Sequence, residues 1–150
     1  MTPPPARAER PAYELRHAVG FEETNLVGNV YYANHVRWQG RCREMFLRDH
    51  CPEILDELAG GLALVTVRCS CEYLAELAAF DQVLIRMTFE EMVQNRITMR
   101  FDYYRLAAGG GRTLCARGEH QVAAMRRGPD GLVACPVPAA LREALRPFGG

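Results

Sequence analysis

Arg43 is a charge that its neighbours do not explain. On a helical period it falls about 140° from Trp38, beside Val36, Gly40 and Leu47, well away from the water-facing stripe of Arg37, Arg41, Glu44 and Arg48. A buried guanidinium is costly unless paired, so Arg43 requires either an internal carboxylate or a ligand oxygen. More polar residues precede it: Glu22, Glu23 and Asn25 in a loop closed by Gly28, then Tyr31, Tyr32, Asn34 and His35. Glu22 and Glu23 read as solvated loop charges or, if the loop folds inward, as a general base. His35, at a helix start, is a base or a packing residue. Asn25, from the residues alone, is a turn cap. The six cysteines (Cys42, Cys51, Cys69, Cys71, Cys115, Cys135) lack metal-ligand spacing. Cys69 and Cys71 share a strand face with no second pair beside them, so they read as small core residues and no metal is expected. No Gly-x-Ser-x-Gly occurs, which argues against a serine hydrolase of the α/β type.

These groups need a scaffold, and the pattern supplies one. Tyr13, Leu15, His17, Val19 and Phe21 alternate with polar neighbours, which predicts a half-buried strand. With Asn34 as N-cap, a helix is predicted from His35 to Asp49. It is apolar on most sides, which places it inside the protein, and Gly40 in its middle predicts a close-passing backbone. Pro52 to Leu58 predicts a short helix. Strand faces follow at Val65, Val67, Cys69, Cys71 and Tyr73, at Val83, Ile85, Met87 and Phe89, and at Ile97, Met99, Phe101 and Tyr103, with a last strand from Thr113 to Arg126. Connections at Gln94-Asn95 and Ala107 to Gly111 are short enough for antiparallel hairpins. The expected class is α+β, a five-stranded antiparallel sheet wrapped around one long central helix. Residues 1–11, proline-rich at the start, are expected to form a disordered tail. Residues 12–127 form the domain, and residues 128–150 a turn and a short helix.

The chain has 150 residues, 49% of them hydrophobic, enough for one core. All 18 basic residues are arginine and they balance 18 acidic ones, so no net field steers the protein toward nucleic acid or an anionic membrane. No apolar run spans a bilayer, and Met1 to Pro11 lacks signal-peptide character. A cytoplasmic location with reduced thiols is the expectation.

The stretch from Phe21 to Trp38, with Gly28-Asn29-Val30-Tyr31-Tyr32-Ala33-Asn34-His35 at its centre, resembles the signature of 4-hydroxybenzoyl-CoA-type hotdog thioesterases. In that family an acidic loop, a Gly-x-Val-Tyr-Tyr-x-Asn-Tyr segment and an Arg-Trp follow the first strand. Tyr73 to Leu84 is similar to the family's turn between its second and third strands, and the likeness covers about Tyr13 to Met125. The resemblance implies a hotdog fold and a homodimer whose sheets join edge to edge, with active sites shared between subunits; a dimer of dimers, a homotetramer, is the expected assembly, and the sequence leaves dimer against tetramer open. It implies hydrolysis of an acyl group from coenzyme A or from carrier-protein phosphopantetheine, with no cofactor beyond the arm carried by the substrate.

One departure matters. Asn25 occupies the position, three residues before the motif's glycine, where much of the family has its catalytic aspartate. An amide is neither nucleophile nor base at neutral pH. That substitution, with Asn-Leu-Val-Gly-Asn-Val-Tyr and the Arg-Cys-Arg-Glu-Met-Phe helix, resembles the thioesterases paired with iterative enediyne polyketide synthases. There the resemblance implies a long polyketide chain on an acyl carrier domain, released as an acid that can lose carbon dioxide when it bears a β-keto group. Under this reading Asn25 orients water and binds the thioester carbonyl, N–H groups near Tyr32 to Asn34 face the oxyanion, and Arg43 stabilises its charge. Glu23 and His35 are supporting or basic residues, and Gly28, Tyr31, Tyr32 and Asn34 bind substrate. The alternatives are a general acyl-CoA or aryl-CoA thioesterase and a non-catalytic acyl-binding protein.

Overall fold

The computed structural model describes residues 9–149. Most of the expected tail lies outside those residues. Glu9 and Arg10 are within them and are tied down: the Glu9 carboxylate pairs with Arg86 at 2.8 Å and also meets Arg112, while the Arg10 carbonyl accepts from Arg86 at 2.8 Å.

The chain runs β1 (Tyr13–Ala18), α1 (Ala33–His50), α2 (Pro52–Ala59), β2 (Leu62–Tyr73), β3 (Gln82–Val93), β4 (Arg96–Leu106), β5 (Arg112–Gly128), β6 (Gly131–Ala134) and α3 (Ala139–Leu145). Every strand pairing is antiparallel, in the order β1-β3-β4-β5-β2, with β6 against the end of β5. The class is α+β and consistent with a hotdog arrangement, but the sheet has six strands where five were expected. The sixth comes from the turn at Gly128 to Gly131, which returns the chain as a hairpin. Gly131, at φ +117°, takes the left-handed backbone that favours glycine.

Ile97, Met99, Phe101 and Tyr103 on β4 and Val83, Ile85 and Met87 on β3 are buried beneath α1, as their alternation predicts. β2 departs from its pattern. Its register against β5 shifts between Thr66 and Arg68, so a bulge at Val67 breaks the two-residue period. Thr66 thereby comes within reach of His120 on β5, and Val65 and Val67 are more than a third exposed. Phe21, expected to point inward from the first strand, is 74% exposed because β1 stops at Ala18 and a 3-10 turn spans Phe21–Glu23.

α1 begins two residues earlier than predicted, with Tyr32 at its cap position. Asn34 lies inside the first turn, and its Nδ2 donates to the Glu23 carbonyl at 2.8 Å. The close approach expected at Gly40 is absent: a Cβ there meets nothing within 4 Å. It occurs instead at Gly118 on β5, where a Cβ would lie 2.0 Å from Gln39 Nε2 and 2.7 Å from the Ser70 carbonyl. The two glycines therefore respond oppositely. Gly118→Ala is expected to cost about 3 kcal/mol, since backbone cannot retreat as a flexible side chain does. Gly40→Ala is expected to gain up to about 1 kcal/mol from helix propensity. Thermal melts of the two variants check both signs.

Candidate active site

The loop between β1 and α1 is folded around Glu23. Its Oε1 accepts from the Gly20 N–H at 2.9 Å and from His17 Nε2 at 2.7 Å, and its Oε2 accepts from Trp38 Nε1 at 2.7 Å. Burial acts to raise its pKa, but the three donors outweigh it and hold the carboxyl below its ordinary value. With both oxygens engaged, Glu23 has the geometry of an anchor rather than of a proton acceptor. Its neighbour Glu22 is exposed.

Asn25 follows at the tip of this anchored loop. Its Oδ1 accepts from the Val27 N–H at 3.0 Å, and its carbonyl accepts from the Gly28 N–H at 3.0 Å. Gly28 closes the turn at φ +89°, a conformation a side chain would strain. Asn25 thus forms the turn that its residue type suggests, and its Nδ2 hydrogens are what it can offer a ligand.

Beside the loop lies a cleft of about 380 Å³, lined by Asn25, Asn29, Tyr32, His35, Tyr73 and Glu76 among others. Tyr73 donates its hydroxyl to the Tyr32 carbonyl at 2.7 Å, fixing one wall to the start of α1. The His35 ring is held between Trp38, Tyr73 and Tyr103, with centroids at 5.2, 4.8 and 5.7 Å, and its buried Nδ1 has no partner among the described residues. Burial lowers its pKa against the opposing pull of the Tyr32 carbonyl, so the ring is neutral at pH 7 and free to exchange a hydrogen bond. No side chain caps α1, and the Asn34 N–H is already spent on the Tyr31 carbonyl at 3.0 Å. The other first-turn donors remain for an oxyanion. Tyr31 stacks obliquely on Tyr32 at 4.6 Å and is half exposed outside the cleft.

Arg43 is not in this cleft. It lines an apolar void of about 10 Å³, room for one water at most, with Phe46, Leu64, Met99, Val122 and Leu145. Eight residues separate it from His35, about 12 Å along the helix at 1.5 Å per residue. The structure therefore brings Asn25, Tyr32 and His35 together and leaves Arg43 apart. Its Nη1 is buried with no hydrogen-bond partner, and no carboxylate pairs with it among the described residues. Burial lowers its pKa, opposed by Glu44.

The residue patterns singled out neither Asn29 and Glu76 in the cleft nor Gln39 and His120 inside. Asn29 Nδ2 donates to Glu76 Oε1 at 3.2 Å. Gln39 is fully buried and donates to the Ser70 carbonyl at 2.9 Å. The signal for Gln39 was its place between His35 and Arg43 at successive steps of four, a polar stripe on an otherwise apolar helix. Among the described residues no group of three His, Cys, Asp or Glu could hold a metal, and no helix is long and apolar enough to cross a membrane.

A family model described as the thioesterase-like superfamily matches residues 19–145. The chain belongs to that family. The thioesterase is 51% identical to the dynemicin thioesterase, covering 93% of this chain and 99% of that one with a TM-score of 0.89. It shares its fold with the 4-hydroxybenzoyl-CoA thioesterase of Pseudomonas sp. strain CBS-3, at 20% identity over 87% of this chain and 96% of the other, TM-score 0.72. A 1,4-dihydroxy-2-naphthoyl-CoA thioesterase from Synechocystis is similar in fold at 17% identity, 91% and 96% coverage and a TM-score of 0.77. A search of curated proteins finds no significant match. The thioesterase is a thioester hydrolase.

Proposed function

We propose that this thioesterase releases a polyketide acyl chain from the phosphopantetheine arm of an acyl carrier domain in enediyne-type biosynthesis. The observation that carries the reading is Arg43, a partly buried guanidinium whose Nη1 is buried without a partner among the described residues at the wall of an apolar void, about 12 Å along α1 from a cleft in which an amide stands at the family's aspartate position. Such a cation is retained at a cost, and a ligand oxygen offsets it. The relative at 51% identity supports a polyketide context, since its crystal structures concern induced-fit and allosteric effects upon polyene binding.

In this reading the thioester enters the cleft and water adds to its carbonyl carbon. Asn25 Nδ2 and the open N–H groups of the first turn of α1 hold the developing oxyanion. The carbon–sulfur bond then breaks, the thiol leaves with a proton from the water, and a free acid remains. A β-keto acid so released can lose carbon dioxide. The chain needs no cofactor for this. Two copies join through β2, an edge strand whose exposed Val65 and Val67 suit pairing with its own copy, and such dimers pair into a tetramer. A cytoplasmic setting suits six free thiols.

Asn25→Ala is expected to lower turnover of a long acyl-carrier thioester by about 100-fold, as for loss of one oxyanion donor. The lost turn should cost only about 1 kcal/mol of stability. Undiminished release of free acid by this variant would place the reacting carbonyl elsewhere. Presenting one acyl group on a carrier domain and on coenzyme A separates the leading reading from a general acyl-CoA hydrolase, which would favour coenzyme A.

A further inference from the structure

An amide at position 25 cannot take a proton from the attacking water, and the cleft offers a carboxylate from another part of the chain. Glu76, in the loop that follows β2, lines the same cleft as Asn25, Tyr32 and His35. It is held by side chain and by backbone. Its Oε1 accepts from Asn29 Nδ2 at 3.2 Å, and its main-chain carbonyl accepts from Arg105 Nη1 at 2.9 Å. The residues after it are zipped to the loop before α1: the Val30 N–H donates to the Leu77 carbonyl at 2.8 Å, and Asn29 bridges Ala78. The Asn29 carbonyl in turn accepts from the Asn25 N–H at 2.8 Å, so a single residue links the amide to the carboxylate.

The other acid–base groups around the cleft are committed elsewhere. Glu23 has both oxygens engaged by His17, Gly20 and Trp38. Tyr73 spends its hydroxyl on the Tyr32 carbonyl, and burial pushes its pKa up to about 12. Tyr32 packs its ring against Tyr31 at 4.6 Å. His35 is 4% exposed and its Nδ1 is sealed beneath the surface, where burial weakens it as a base. Glu76 alone of the cleft's carboxylates is exposed and spends one oxygen on a neutral amide, which leaves Oε2 to accept from a water in the cleft.

We propose that Glu76 is the general base of the hydrolysis, taking a proton from the water whose addition Asn25 and the first turn of α1 promote. This inference rests on the reading of the cleft given above. As the oxygen–carbon bond forms, one water proton passes to Oε2. As the carbon–sulfur bond breaks, the same proton passes to the departing sulfur, so the thiol leaves neutral and the carboxylate is restored. Asn29 is a positioning residue, since it fixes the carboxylate and the Asn25 turn together.

The test is the pH–rate profile on a long-chain acyl pantetheine thioester. In the wild type kcat/KM should fall in acid as a single group is protonated. Glu76→Gln keeps an oxygen to accept from Asn29 and loses only the basic one. It should lower kcat by about 100-fold near neutrality and abolish the acidic limb, with KM and melting temperature close to wild type. Glu76→Asp, a carboxylate set back by one methylene, should keep the limb at a rate about 10-fold lower, and it carries the test if the glutamine variant misfolds. A wild type without an acidic limb, near-normal turnover in Glu76→Gln, a loss in Glu76→Gln that leaves the limb intact, or an unchanged rate in Glu76→Asp would each overturn the base. So would a limb that disappears in His35→Gln and persists in Glu76→Gln, which gives the role to the imidazole. If Asn25→Ala and Glu76→Gln both hydrolyse as wild type, the cleft is not the site and the underlying reading fails. If Asn25→Ala is impaired and Glu76→Gln is not, the base assignment alone fails.

Discussion

Arg43→Met is expected to leave the fold at least as stable as wild type while lowering turnover of a long acyl thioester by about 10-fold, as for loss of one hydrogen bond from a charged group to a substrate oxygen. The two halves have one cause. Among the described residues nothing pairs with Nη1, so the folded state carries the desolvation of the buried part of this cation without a return from an internal carboxylate. Methionine fills similar volume, remains flexible and is apolar, matching Phe46, Leu64, Met99 and Val122 around it. Removing one member of a buried ion pair strongly destabilises a protein, whereas removing an unpaired charge relieves a penalty. A structural Arg43 predicts a lower melting temperature with near-normal turnover. A third readout is available in His120. Burial is the main cause of its low pKa, so NMR titration of the variant should show only a modest rise from about 4 once the neighbouring charge is gone. Its folded pKa is depressed, so its contribution to stability is complete above the ordinary value of 6.5 and is lost as pH falls through about 4.

The strand faces of β3 and β4 could be read from alternation because those strands lie in the middle of the sheet, with α1 against one face. Alternation failed on β2 because its bulge falls inside the predicted face and one extra residue reverses every later assignment, whereas the shift in β3 comes after Phe89, where its predicted face ends. The helix was legible for the same reason as β4, and so was Arg43, whose angular position contradicts its charge. Its cap was not. Asn34 has the chemistry of a cap but spends its amide on the Glu23 carbonyl, a partner brought close only by the folded loop. Gly40 suggested close packing because glycine is costly in a helix, yet the crowded glycine is Gly118, in a strand where its cost passes unnoticed. At the site, Asn25, Tyr32 and His35 lie within eleven residues of sequence and stay together in space. Thr66 and His120 reach their positions through strand register and Glu76 through the bridge that ties its loop to Asn29, neither of which a local pattern contains.

Glu23 is where the residue type most invites a catalytic reading and the geometry most resists it, and Glu23→Gln separates the two. The variant is expected to lose about 3 kcal/mol, roughly 10 °C in melting temperature, because three charge-assisted bonds become neutral or are broken. The sign of the pH dependence follows from the lowered pKa. Stability from Glu23 is fully present above the ordinary carboxyl value of 4.5 and disappears as pH falls through the still lower folded value. The gap between wild type and variant should therefore be widest near neutrality and should close in acid. Turnover should fall about 10-fold, because the loop that Glu23 ties to His17, Gly20 and Trp38 also positions Asn25, and a small misplacement of a donor is costly. The shape of the pH–rate profile should not change. A Glu23 acting as general base predicts the reverse: melting temperature near that of wild type, and loss of the acidic limb of the pH–rate profile.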